Sequence, residues 1–116
     1  MSEHFDRYVE GWTKGDVELL LSACAEDFVY DDPIDGRCTK AEIGAYVKSL
    51  PGAIEWTEEV AQEIGGVETV WGWWKMQDQQ GAALHKVGRD GVHLTKATYY
   101  ASPQITLAAS KAETSA

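Results

Sequence analysis

Residues 7–33 read RYVEGWTKGDVELLLSACAEDFVYDDP, and the change of period inside this stretch decides the fold. On its left, Phe5, Tyr8, Val9 and Trp12 recur at i, i+3, i+4 and i+7, the apolar stripe of an amphipathic helix. Gly15 suits the left-handed residue just past the end of that helix. Asp16 can then cap a second helix, in which Val17, Leu20, Leu21 and Cys24 repeat the spacing. With DFVYDD (27–32) the period falls to two: Phe28, Tyr30 and Asp32 share one face, Val29 and Asp31 the other. Pro33 cannot donate to a sheet ladder, so the strand ends there or becomes an edge.

Further along, Thr39 and Glu42 form a T-x-x-E capping box that opens a third helix with the stripe Ile43, Tyr46, Val47 and Leu50. Pro51-Gly52 breaks it. IEWTEEVAQEI (54–64) then places Ile54, Trp56, Val60 and Ile64 on one parity, interrupted by Glu58 and Gln62, although so Glu-rich a stretch is also compatible with a helix. Gly65-Gly66 marks a turn, VETVWGWWKMQD (67–78) has the β-branched and aromatic content of a strand, and QQG (79–81) reads as the next turn. AALHKVGR and VHLTKATYYAS flank Asp90-Gly91, a two-residue hairpin signal. Helices segregated ahead of a four-stranded meander, with one earlier strand between helices, make an α+β domain. The single domain is expected over 1–103, with an Ala/Ser/Thr-rich tail over 104–116.

Composition narrows the function. A chain of 116 residues supports one core, and its net charge of −9 repels phosphate backbones and anionic membrane surfaces, so neither nucleic acid nor a membrane is an expected partner. The same charge favours a neutral or cationic small ligand over a phosphorylated one. MSEHFDRY (1–8) shows neither the basic region nor the long apolar run of a signal or anchor, and Cys24 and Cys38 form no CxxC pair. Both cysteines are read as reduced thiols in a cytoplasmic protein. His4, His85 and His93 lack metal-ligand spacing, and a two-residue turn at 90–91 would pair His93 with Gly88 rather than with His85. No phosphate loop, dinucleotide fingerprint or nucleophile elbow occurs, so no cofactor is expected.

The segments 7–33 and GRDGVHLTKATYYAS (88–102), with the third helix and middle strands in order between them, resemble the nuclear transport factor 2-like superfamily, especially its SnoaL-like and ketosteroid-isomerase-like branches. That resemblance implies a cone-shaped half-barrel: a strongly curved sheet wrapped around the helices, with an apolar pocket and a homodimer formed through the outer face of the sheet. For the isomerase branch it also implies roles. Tyr8, in RYV, matches the phenol that donates to the substrate oxyanion, and Asp32, in DDP, matches the base that takes the proton beside the carbonyl, chemistry for which ketosteroid isomerase is itself the standard worked case. A second donor, a protonated aspartate in a late strand, is replaced here by Ala83, and loss of one such donor costs roughly a hundred- to a thousand-fold in rate. His85, of the same parity, is a candidate substitute.

Each candidate has a plainer alternative. Asp32 is either a pocket base or a solvated strand end, and Tyr8 either a donor or a core aromatic. Trp12, Tyr30, Trp73, Ala83 and His85 are the expected pocket lining. Trp71, Trp73 and Lys75 alternate with Gly72, Trp74 and Met76, so rings point to both faces of one strand; both faces must be covered, or one set forms a cage for a cation. Two functions follow: an isomerase or cyclase acting on a small apolar carbonyl-bearing molecule, or a ligand-binding or dimerisation protein without catalysis.

Overall fold

The computed structural model describes residues 3–100; the expected tail at 104–116 lies outside them. Helix α1 (Glu3–Lys14) buries Phe5, Tyr8 and Gly11, and α2 (Val17–Ala23) follows after Gly15, whose φ of 67° is the left-handed value that ends a helix. The Asp16 carboxylate accepts from the Leu19 backbone N–H and caps α2. Gly11 lets the two helices touch: a Cβ there would lie 2.7 Å from the Leu20 Cβ. Cys24 ends α2 and begins β1 (Cys24–Asp32), where it buries its thiol against the Leu20 carbonyl. Both cysteines are free.

One element was not legible as a strand. Beyond Pro33 the chain turns straight back into a short β2 (Gly36–Thr39), antiparallel to β1. The turn is organised by Asp32, whose Oδ1 accepts from the backbone N–H groups of Ile34 (2.8 Å) and Asp35 (3.0 Å). Helix α3 (Lys40–Ser49) opens with the Thr39–Glu42 capping box and buries Ile43 and Val47. Four long strands complete the chain: β3 (Glu55–Ile64), β4 (Val67–Met76), β5 (Gln79–Gly88) and β6 (Gly91–Ala97). The curved, unclosed sheet has the order β2-β1-β6-β5-β4-β3, antiparallel except for the parallel β1–β6 pair that joins the start of the chain to its end. No helix among the described residues is long and apolar enough to cross a membrane.

Three local readings are corrected. QQG is not the β4–β5 turn: the chain turns at Gln77 and Asp78, with Gln77 at φ 54°, and Gly81 is already paired with Trp74. A Cβ on Gly81 would strike the Thr98 carbonyl at 1.8 Å, so this glycine serves close backbone approach rather than reversal. The last hairpin turns at Arg89-Asp90, so Gly91 pairs with Gly88 and His93 sits in a bulge. There His93 bridges Asp27 and Asp90, each at 2.6 Å; burial lowers its pKa, but these two bonds outweigh that and raise it. In β3, a register shift between Glu58 and Val60 flips the alternation. Val60 and Ile64 therefore leave the face of Trp56 and stand exposed on the outer side, Ile64 at 71 %.

Candidate functional site

Helices α1 and α3 lie over the inner face of the sheet, and a cavity remains between them. Its empty space amounts to about 600 Å³, open solvent at its mouth included. The wall is mostly aromatic: Trp12, Tyr30, Tyr46, Trp56, Trp74 and Tyr99. Its floor includes two small residues, Ala83 on β5 and Ala97 on β6, which are cross-strand partners. Gly72, the β4 partner of Ala83, instead admits the β3 backbone, since a Cβ there would lie 2.1 Å from the Thr57 carbonyl oxygen. The mouth opens on a groove carrying Asp35 and Asp78.

Tyr8 reaches the cavity wall from α1 and is fully buried. Its hydroxyl lies 2.5 Å from Thr95 Oγ1, which is 2.8 Å from His85 Nδ1. Burial pushes the phenol pKa well above its ordinary value, so it stays protonated. His85, 5 % exposed, packs against Phe5, Tyr8 and Trp56, and burial lowers its pKa to about 3. It is therefore neutral at physiological pH. Its Nε2 and the indole Nε1 of Trp56 are buried without a hydrogen-bond partner, and their rings meet edge to face at a centroid distance of 4.8 Å.

Asp32 is 2 % exposed, yet it does not line the cavity. Three tyrosines stand between. Tyr30 and Tyr99 donate to its Oδ2 at 2.6 and 2.5 Å, and Tyr46 approaches the same oxygen at 3.4 Å. Burial alone would raise the carboxyl pKa; the donations from Tyr30, Tyr99 and the Asp35 and Ile34 amides outweigh it and hold the group below the usual range. Burial first, and then the same carboxylate, drive the Tyr30 and Tyr99 pKa values up. Asp32 is thus an ionised hub with both oxygens engaged, a weaker base than an apolar setting would make it. Asp31, on the opposite face, lies 3.7 Å from the Lys96 ammonium.

Of the residues expected in the pocket, Trp12, Tyr30, Ala83 and His85 line the cavity. Trp73 does not. It stands 41 % exposed on the outer face beside Trp71, because the inward parity of β4 belongs to Val70, Gly72, Trp74 and Met76. The sequence reading missed Tyr46, Trp74, Tyr99 and Thr95. A parity signal was available for Trp74, since Met76 and Val70 share its face, but Tyr99 follows the last long strand, where no period guides the eye.

A model of the SnoaL-like domain matches residues 5–100. No curated protein is significantly similar to the chain. Among solved structures, a provisionally named ketosteroid isomerase from Kribbella flavida is similar at a TM-score of 0.64 and 16 % identity, over 85 % of this chain and 76 % of that one. An NTF2-like protein of unknown function from Cytophaga hutchinsonii gives 0.67 and 8 %, over 89 % and 92 %. An LEH-like epoxide hydrolase of M. tuberculosis gives 0.63 and 10 %, over 84 % and 80 %. At such identities the structural likeness speaks for the fold alone. The match across almost all of the described residues, on a curved sheet that folds around its helices, makes this chain a member of the SnoaL-like domain family, with an NTF2-like fold.

Proposed function

We propose that the domain binds a small, mostly apolar, carbonyl-bearing molecule in the cavity between α1, α3 and the sheet. The observation that carries this reading is the aromatic-walled cavity itself, open at its mouth and lined by the small residues Ala83 and Ala97 among its large rings. Its deep end, where Trp56 Nε1 and His85 Nε2 lack partners, is the place for the oxygen of the ligand. Binding ranks ahead of catalysis because neither oxygen of Asp32 is free to take a proton.

The catalytic reading, an isomerase or cyclase with Asp32 as base and Tyr8 as donor, is favoured by one observation: Asp32 is ionised and only phenols separate it from the cavity. Direct transfer would require the ligand to displace Tyr99 or Tyr46 from Oδ2. Titration with 1-indanone, a neutral apolar ketone, checks both readings. Tryptophan emission is expected to change saturably, with no protein-dependent deuterium incorporation beside the carbonyl in heavy water. Incorporation that a folded Asp32→Asn variant loses would replace binding with catalysis; a failure to bind would remove both.

The outer face supports a second proposal, a homodimer. Trp71, Trp73, Leu84 and Leu94 lie there, with Trp73 and the neighbouring Tyr100 exposed. Sedimentation equilibrium at micromolar protein is expected to give twice the chain mass, and Trp73→Glu to shift it toward the monomer. A monomeric wild type would dismiss the dimer.

A further inference from the structure

Asp32 presents a physical anomaly. Buried charges are ordinarily paired with an opposite charge. Here the carboxylate is buried and no Lys, Arg or protonated His forms an ion pair with it among the described residues. Its partners are two amide N–H groups and the hydroxyls of Tyr30, Tyr46 and Tyr99, which disperse the charge without neutralising it.

A second carboxylate shares those hydroxyls. Tyr46 lies 2.7 Å from Asp35 Oδ2 and 3.4 Å from Asp32 Oδ2, while Tyr99 lies 2.5 Å from Asp32 and 3.5 Å from Asp35. A phenol has one proton to donate, so the closest arrangement gives the Tyr99 proton to Asp32 and the Tyr46 proton to Asp35. Two negative charges are left on either side of a pair of phenols, and both phenols line the cavity.

The rest of the lining adds nothing positive. No Lys or Arg lines the cavity or the groove at its mouth, where Asp35 and Asp78 are the charged groups. His85, nine-tenths buried and lining the same cavity, has an unpartnered Nε2. Around this negative end the rings are closely set: Tyr30 and Tyr46 at a centroid distance of 5.2 Å, Trp12 and Tyr30 at 5.6 Å, Trp74 and Tyr99 at 5.0 Å. Aromatic faces attract cations, and a ring whose hydroxyl donates to a carboxylate is richer in electrons than a free phenol.

We propose that the ligand is an organic cation: an apolar, carbonyl-bearing body with a tertiary or quaternary ammonium group, its charge beside Tyr30, Tyr46 and Tyr99 near the mouth and its carbonyl directed toward Trp56 and His85. This rests on the cavity reading above and adds the charge of the ligand to it. Anions are rejected by the same groups, because nothing in the wall or mouth compensates them.

Two probes of one shape separate charge from shape. Benzyltrimethylammonium and neopentylbenzene differ in having nitrogen or carbon at the quaternary centre. In titrations followed by tryptophan emission, the cation is expected to bind about tenfold more tightly, or better. Asp35 is exposed, so Asp35→Asn should fold normally; it is expected to weaken the cation about threefold and leave the hydrocarbon unchanged. Asp32→Asn, checked for folding by circular dichroism, is expected to weaken the cation further. Equal affinities, or a preference for the hydrocarbon, would overturn the charge assignment while leaving the cavity reading intact. Cation binding indifferent to Asp35→Asn and to a folded Asp32→Asn would also overturn it. Failure of both probes to bind folded protein at millimolar concentration while 1-indanone still binds would overturn the charge assignment alone, and failure of all three would overturn the two readings together.

Discussion

Asp32→Asn is expected to destabilise the fold by about 3 kcal/mol or more, because a carboxylate oxygen that gathers hydroxyl protons becomes an amide that donates its own. Oδ1 can still accept from the Ile34 and Asp35 amides, so the β1–β2 turn keeps its cap. At the Oδ2 position, Tyr30 and Tyr99 lose their acceptor and meet N–H groups instead. Each stranded buried donor costs about 1–3 kcal/mol. The pH dependence has a definite sign. The folded carboxyl lies below the ordinary aspartate value of 3.8, so its stabilisation is complete above that value and fades as the pH falls through the lower folded one. Asp32→Asn should therefore flatten the acid limb of the stability profile as well as lower its plateau. Asp31→Asn provides the contrast. Asp31 is half-buried on the outer face and loosely paired with Lys96, and its replacement should change stability by less than about 1 kcal/mol. Urea denaturation followed by circular dichroism from acid to neutral pH measures both. An Asp32 variant within 1 kcal/mol of wild type, with an unaltered acid limb, would show that the carboxylate is not the hub described. The same result bears on enzymology: lost turnover in an Asp32 variant indicates a base only if the fold is shown to survive.

The adjacent acids of VYDD thus separate by face, as their parity requires, and the inner one organises phenols rather than standing bare in a greasy pocket. Periodicity carried the helices well: the stripes Phe5–Tyr8 and Ile43–Val47 are buried, and the capping box at Thr39 is formed. It failed where tertiary pairing overrides local pattern. The four residues of β2 have neither alternation nor β-rich content, and they become a strand because the Asp32-capped turn delivers them to β1. The bulge in β3 makes Val60 and Ile64 change sides, and a strict period of two cannot register that. QQG misled because glycine serves reversal and close approach alike, and only the neighbouring Thr98 carbonyl tells them apart. For the candidate site, Tyr8 and Asp32 were named through the resemblance and His85 by its parity; Tyr8 and His85 line the cavity and Asp32 does not. The tyrosines that separate Asp32 from the cavity come from β1, α3 and the segment after β6, a convergence at sequence separations that no local signal records.

Ala83→Phe is expected to abolish ligand binding while sparing the fold. At the sequence level Ala83 reads as a missing donor, whereas in three dimensions it is floor space. Its cross-strand partner Ala97 lines the cavity beside it, and the two small side chains leave room above β5 and β6. A phenyl ring at this position points into existing space, so the usual cost of overpacking, about 1–3 kcal/mol, should be met only in part. Stability is expected to stay within about 1.5 kcal/mol of wild type. Affinity for 1-indanone or benzyltrimethylammonium is expected to fall roughly a hundredfold or more, about 2.8 kcal/mol of binding free energy. Titrations and urea denaturation on the same preparation give both numbers. The pairing of a large binding loss with a small stability change is the distinctive outcome, since a general disturbance of the core would move the two together. Undiminished binding in folded Ala83→Phe would place the ligand elsewhere on the molecule, and the aromatic cavity would then be a packing defect between helices and sheet.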